Sequence, residues 1–128
     1  LKVIEIMERE RLVENSDALA LEWQQAMKDA FGDHPIVGDI RGRGFWQAID
    51  FTADKASRAA FTDDTVVAIA RRARELGVIV SPIGTAIEIA PALIATREDL
   101  AECTRAIAQA IVDVARQRGF DDGKSSRV

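Results

Sequence analysis

Apolar residues recur at helical spacing through the first part of the chain, with Trp23 and Met27 among the clearest members of the stripe. The pattern predicts helix from residue 1 to about residue 31. The string Asn15-Ser16-Asp17 could cap a second helix, so one kinked helix and two consecutive helices are both open. Gly32-Asp33-His34-Pro35 ends the segment, because proline forbids continuation of a helix.

Two pairs of short apolar segments follow, and each pair is joined by a short turn that contains glycine. Residues 36–40 and 45–51 predict the first pair of strands, with Arg41-Gly42-Arg43-Gly44 between them. Residues 78–83 and 86–90 predict the second pair, with a Gly-Thr turn between them. Each pair therefore has the length and the connection of a β-hairpin.

Two further helices are predicted from their caps and apolar stripes. One begins at an N-cap at Thr62 and runs to Leu76. The other opens with Thr96-Arg97-Glu98-Asp99, which has the capping-box pattern, and ends at Gly119. Residues 121–128 are polar and are expected to be a frayed tail.

The order of elements favours an α+β fold in two layers. Paired strands with short connections predict an antiparallel or mixed sheet of about four strands, covered on one face by helices and preceded by the long or kinked N-terminal helix. No repeat or linker divides residues 1–120, so one domain is expected there. The chain starts inside a helical pattern and without methionine, which predicts a piece of a longer protein.

Composition and charge exclude several classes of function. Of 128 residues, 48% are hydrophobic and 30% charged, which is typical of a soluble globular domain. The interspersed charges and the net charge of −4 argue against nucleic-acid or anionic-membrane partners. No apolar run is long enough to span a bilayer and no signal peptide is visible, so we expect a cytoplasmic protein.

The chain carries no recognisable catalytic set of its own. The one histidine, His34, precedes a proline at a helix end, and the one cysteine, Cys103, lies in an apolar helical stripe. No disulfide, cysteine-rich metal site or Cys-His dyad is therefore expected within the chain. None of the four lysines sits in an apolar setting suited to Schiff-base chemistry, so we predict no catalytic, cofactor-binding or metal-binding residue.

The string Arg41-Gly42-Arg43-Gly44 is the most unusual one in the sequence, and two interpretations of it compete. Glycines flanked by guanidinium groups could hold a phosphate or a carboxylate. Alternatively, Gly42 and Gly44 let the backbone turn while Arg41 stays at the surface or contacts another domain. The structural interpretation is favoured, because the string does not open a helix as a dinucleotide-binding loop would.

The second hairpin holds a polar residue that invites a functional interpretation. Strand alternation places Ser81 on the same face as Ile79 and Ile83, next to Pro82. Ser81 is then either an edge residue or the lip of a pocket. Glu88 lies between two isoleucines and is expected to face solvent.

Five strings, taken together in order and spacing, resemble the C-terminal small domain of class III pyridoxal-phosphate-dependent aminotransferases. The nearest branch is that of the ω-amino acid or amine:pyruvate transaminases. The resemblance covers residues 1–118. The strings include VGDIRGRGF, AIDF, ARRARELGVIV and IAPALI, and they lie within residues 3–15, 37–45, 48–58, 70–80 and 89–99.

The resemblance implies a role for this chain inside a larger enzyme. Members are fold-type-I enzymes, usually homodimers, in which a large domain holds pyridoxal phosphate on a lysine and an amino group moves from an amine or ω-amino acid to a keto acid such as pyruvate. The small domain would line the substrate cleft without being catalytic, with Ser81, Pro82 and Ile83 at the lip. The implied partners are the large domain and a second subunit, and no cofactor is expected on this chain alone.

Two positions depart from the pattern of the family. Ser81 stands where the amine:pyruvate branch commonly has an arginine that pairs with the substrate carboxylate, and Glu88 stands where related branches have another arginine. We therefore expect an amine donor, or an arginine from elsewhere for the acid partner. The alternatives outside the enzyme class are a free-standing α+β ligand-binding or regulatory module and an interaction module that uses the first helix.

Overall fold

The computed structural model describes residues 1–120, and the segment 121–128, predicted to fray, lies outside the described residues. Four helices and four strands make up the described part. In chain order they are α1 (Lys2–Arg9), α2 (Leu12–Phe31), β1 (Val37–Arg43), β2 (Trp46–Phe51), α3 (Thr65–Glu75), β3 (Ser81–Ile83), β4 (Ala86–Ile89) and α4 (Arg97–Gln117).

The strands form one antiparallel sheet in the order β1-β2-β4-β3. Two hairpins, β1-β2 and β3-β4, are joined along β2 and β4, which are the central strands. Ile49 at the middle of β2 lies opposite Ile40 on one side and Ile87 on the other. The prediction of an α+β fold with a small antiparallel sheet is confirmed.

The helices pack on one face of the sheet and bury its apolar side chains. Met27 of α2, Ile49 of β2 and Ile107 of α4 are fully buried in the shared core. Helices α2 and α4 are also joined by a hydrogen bond from the Trp23 Nε1 to the Thr104 Oγ1, at 3.1 Å. The result is the predicted two-layer arrangement, with the second face of the sheet left uncovered by the described residues.

The N-terminal segment consists of two helices, and the break falls at Arg11. Arg11 takes a left-handed backbone conformation, with φ of 51°, which ends α1 and redirects the chain into α2. The predicted cap at Asn15-Ser16-Asp17 is wrong, because these residues lie inside α2, where Ser16 is buried and its hydroxyl donates to the Val13 carbonyl. Helix α1 contains no buried residue.

The first hairpin turns later than the sequence predicts. Strand β1 continues through Arg43, so the assignment of Arg41 and Gly42 to the turn is wrong. Gly44, with φ of 56°, and Phe45 form the connection. The Phe45 ring leaves the strand direction, is buried, and packs edge-on against Trp23 with ring centroids 6.1 Å apart.

Gly42 has a structural explanation in the side chain opposite it. Gly42 pairs with Gln47, whose buried amide donates to the Gly44 carbonyl at 2.8 Å and accepts from the amide of Gln24 at 2.8 Å. A Cβ at residue 42 would stand 2.7 Å from both the Cα and the Cδ of Gln47. Glycine is therefore required for the hairpin to close over this amide.

The helix termini follow the sequence signals in one case and shift in the other. The capping box of α4 is confirmed, since the Asp99 amide donates to the Thr96 hydroxyl and the Thr96 amide to the Asp99 carboxylate. The predicted N-cap at Thr62 is wrong, because α3 begins at Thr65. The N-cap is Asp64, whose side chain makes no capping hydrogen bond, and the preceding Asp63 carboxylate accepts from the backbone amide of Thr65 at 2.9 Å.

Cys103 is expected to resist thiol reagents in the folded chain. It lies in α4, is only 8% exposed, and burial raises the pKa of its thiol to about 11. Because the thiolate is the reactive form, labelling at pH 8 should be about a hundredfold slower than in the urea-unfolded chain. Timed alkylation with iodoacetamide followed by mass spectrometry measures the ratio, and equal rates in both states would contradict the burial.

Candidate functional site

The strand register assembles a candidate site on the sheet face that the helices leave uncovered. Side chains directly opposite each other in antiparallel strands share a face, so the pairs Arg41–Ala48, Ala48–Glu88 and Glu88–Ser81 form one row across all four strands. We call this surface the open face. Its members are Asp39, Arg41, Arg43, Trp46, Ala48, Asp50, Ser81, Ile83, Ala86 and Glu88.

At the β1 side of the open face, Arg41 is held between two carboxylates. Its Nη1 lies 3.2 Å from an oxygen of Asp39 and 3.2 Å from an oxygen of Asp50. Hydrogen bonds to Asp39 and then Asp50 raise the pKa of the Arg41 guanidinium. An arginine engaged in this way is neutralised locally, so this arrangement does not favour the anion-binding interpretation of the Arg-Gly string.

An open concavity of about 550 Å³ borders this ion-pair cluster. Its wall carries both signs of charge, since Lys55 and Arg58 join Arg41, Asp39 and Asp50 there. The Lys55 ammonium already donates to the Gly32 carbonyl at 3.3 Å. Mixed charges, most of them already paired within the chain, do not define a class of ligand.

At the opposite edge, β3 exposes Ser81, Pro82 and Ile83. The tight turn at Gly84-Thr85 sets the register, so that Ser81 pairs with Glu88. The two groups of residues predicted as functional are not brought together. Arg41 on β1 and Ser81 on β3 are separated by three strand spacings, which add up to about 14 Å.

The sequence interpretation missed a contact between Trp46 and Glu88. The Trp46 indole Nε1 lies 3.4 Å from the Glu88 Oε2, to which it donates, and the tryptophan is 66% exposed. The alternation in β2 placed Trp46 opposite the core face, which is a usable signal for exposure. The contact itself depends on the pairing of β2 with β4. Residues 52–85, which include α3 and β3, separate these strands in the sequence, so no local pattern predicts the contact.

Within residues 1–120 no group of three or more acidic, histidine or cysteine side chains is placed to hold a metal ion. The lysines of the same range, Lys2, Lys28 and Lys55, are all exposed. None of the helices in the described part of the chain is long and apolar enough to cross a membrane.

Residues 1–120 thus form an α+β domain in which one face of the sheet stays open and the three lysines are exposed. The model of the class III aminotransferase family matches residues 1–111. The chain belongs to the class III aminotransferase family.

Curated relatives match over most of this chain but over only a part of their own length. The taurine–pyruvate aminotransferase of Bilophila wadsworthia is 30% identical over 124 residues, which is 91% of this chain and 27% of the relative. The diaminobutyrate–2-oxoglutarate transaminase of Halomonas elongata is 37% identical over 101 residues, which is 76% of this chain and 22% of the relative. The chain thus spans about a quarter of the length of these relatives.

Solved structures of transaminases share the fold. The omega-transaminase from Pseudomonas jessenii in complex with PMP is 30% identical, with a TM-score of 0.85 over 91% of this chain and 26% of that one. An amine transaminase from an uncultivated Pseudomonas species, in the PLP-bound internal aldimine form, is also 30% identical. Its TM-score is 0.82 over 88% of this chain and 26% of that one.

Proposed function

We propose that this chain is the C-terminal small domain, residues 1–120, of a cytoplasmic, homodimeric, pyridoxal-phosphate-dependent aminotransferase. The enzyme would move an amino group from an amine or ω-amino acid to a keto acid such as pyruvate. The observation that carries the proposal is the likeness to amine transaminases over about nine-tenths of the chain, at 30% identity and TM-scores above 0.8.

Residues 1–120 do not fit the cofactor. Schiff-base chemistry needs a lysine whose ammonium is shielded and can lose its proton, whereas Lys2, Lys28 and Lys55 are exposed to solvent. The reacting lysine and the cofactor pocket are therefore assigned to another part of the enzyme, a large domain that packs against this chain. The role left to this chain is to bind and orient the substrate.

The open face is the surface we assign to the substrate cleft and the domain contact. Helices α2, α3 and α4 occupy the other face, so the open face and the two edge strands, β1 and β3, are the parts of the sheet left for a partner domain. Ser81, Pro82 and Ile83 form the lip in this proposal. The exposed side chains of Ile79 and Ile83, at 75% and 54%, supply apolar surface of the kind that domain interfaces cover.

The substitution Ser81→Arg in the full-length protein tests this placement. With pyridoxal phosphate bound, the protein should transfer amino groups from an amine to pyruvate. Because Glu88 lies opposite residue 81 and would pair with the added guanidinium, Ser81→Arg is made in a Glu88→Gln background. The guanidinium should then pair with carboxylates of keto acids and ω-amino acids and lower their KM about tenfold. The KM for a monoamine donor without a carboxylate should stay within about twofold.

Gln25→Arg, on the exposed side of α2, adds the same charge far from the open face and serves as the matched control. It should leave all KM values near those of the parent. If Ser81→Arg leaves every keto-acid and amino-acid KM unchanged as well, residue 81 does not lie at the carboxylate site. Absence of any transaminase turnover by the full-length protein would defeat the proposed function itself.

A further inference from the structure

The environment of Glu88 on the open face is unusual for a surface glutamate. Glu88 lies in the central strand β4, directly opposite Ala48 on one side and Ser81 on the other. Side chains in such pairs have Cβ atoms about 5 Å apart. Both of these neighbours carry small side chains, and the Trp46 indole donates a hydrogen bond to the Glu88 Oε2 at 3.4 Å.

Glu88 has no cationic partner among the lysines and arginines of residues 1–120. The nearest arginine along its row, Arg41, lies beyond Ala48 and is engaged by Asp39 and Asp50. Arg43 pairs with Trp46 from β1, on the side of the indole away from β4. The Glu88 carboxylate therefore keeps its negative charge uncompensated at the centre of the sheet, and one of its oxygens, Oε1, makes no hydrogen bond to the described residues.

From this geometry we infer that Glu88, Trp46 and Ser81 form a recess for an ammonium group of the substrate. The amino donor is then a diamine, or another amine that carries a second positive charge away from the reacting nitrogen. This inference rests on the proposed function and names its substrate class. It assigns a specificity to the same open face and no role in the reaction itself.

The chemistry of the three side chains suits an alkylammonium ion. An ammonium group has three donors, and the Glu88 carboxylate and the Ser81 hydroxyl supply acceptors on adjacent strands. The exposed Trp46 ring can add a cation–π contact if the cation lies over its face. A donor that ends in a carboxylate would instead meet the charge of Glu88 and be repelled.

The full-length enzyme with three donors of equal carbon chain tests the inference. The donors are cadaverine, a diamine; pentylamine, which lacks the second charge; and 5-aminovalerate, which carries a carboxylate. Pyruvate is the common acceptor, and kcat/KM is measured for each donor. The parent enzyme should favour cadaverine over pentylamine, and 5-aminovalerate should be the poorest donor.

Glu88→Gln removes the charge and retains an acceptor oxygen for the Trp46 indole. It should lower kcat/KM for cadaverine by about tenfold to a hundredfold, because a hydrogen bond to a charged group contributes a factor of that size. The kcat/KM for pentylamine should stay within about twofold of that of the parent. Trp46→Leu removes the ring and should lower cadaverine turnover by at least about threefold relative to pentylamine. Glu102→Gln, an exposed glutamate of α4, removes the same charge on the helical side and should change neither donor.

The outcomes separate this inference from the proposed function. If pentylamine is turned over and Glu88→Gln affects cadaverine and pentylamine equally, the recess is not a cation site, although the enzyme is a transaminase. A parent enzyme that prefers 5-aminovalerate overturns the inference in the same way. If none of the three donors reacts with pyruvate or another keto acid, the proposed function has failed, and the inference with it.

Discussion

Replacing Gly42 with alanine should destabilise the chain by about 3 kcal/mol, at the upper end of the cost of overpacking. The new Cβ would overlap the carbonyl oxygen of Trp46 and stand 2.7 Å from the Cα of Gln47. Both are backbone atoms of the paired strand β2, so relief requires β1 to move away from β2. Urea denaturation of the 128-residue chain, followed by circular dichroism, should show a clear drop in the midpoint.

Gly38→Ala supplies the matched control within the same strand. A Cβ at residue 38 has its nearest neighbour, the Asp50 carbonyl oxygen, at 3.5 Å, which is ordinary van der Waals contact. We expect its unfolding midpoint to stay close to that of the parent, within about 1 kcal/mol of stability. Similar midpoints for both variants would mean that residue 42 does not face Gln47 as described.

Ile49→Ala should cost about 3 to 4 kcal/mol of unfolding free energy, within the range for truncating a buried isoleucine. Ile49 is fully buried at the centre of the sheet, between Ile40 and Ile87, and its side chain faces the helical layer. Truncation removes the transfer free energy of the lost methyl and methylene groups and leaves a cavity that rigid neighbours cannot fill. The free energy of unfolding in urea measures the loss directly.

Ile79→Ala makes the same chemical change at a residue that is 75% exposed. Little apolar surface is returned to water there, so its stability should lie within about 0.5 kcal/mol of that of the parent. A loss at Ile79 as large as that at Ile49 would contradict the assignment of the core to the helical face of the sheet.

The sequence predicts the type and order of the elements well where a local rule dominates. The capping box at Thr96 places the start of α4 correctly. The Gly84-Thr85 turn places the second hairpin, because a two-residue connection leaves one register available. Alternation along β2 also correctly assigns Ile49 to the buried face of the strand and Trp46 to the opposite face. These signals act over a few residues and do not depend on the rest of the molecule.

Errors occur where tertiary contacts decide the local structure. Arg11 adopts a left-handed conformation that its residue type does not favour, so the sequence leaves one or two helices open and places the possible break at residues 15–17 instead of at Arg11. Gly42 looks like a turn residue, yet it lies within β1 to accommodate Gln47. Residues 78–80 have strand-like composition, yet β3 begins only at Ser81.

The candidate site likewise has a part that the sequence predicts and a part that it does not. Ser81 is singled out by its departure from the family pattern and by its place in the second hairpin, and its role stays a prediction. The neighbours of Ser81 across the hairpin follow from the turn, but the approach of Trp46 to Glu88 depends on β2 pairing with β4, which are separated by α3 and β3. Strand order in a sheet reflects packing of the whole core, and no short motif encodes it.

The two edge strands, β1 and β3, carry features that disfavour pairing with strands of other chains. Pro82 sits in the middle of β3 and has no amide hydrogen to offer an incoming strand. On the other margin, the regular ladder is interrupted between Val37 and Asp39, and cationic side chains follow along the strand. Both edge strands therefore discourage β-pairing with other chains, and we expect a partner that covers the open face to bind without extending the sheet.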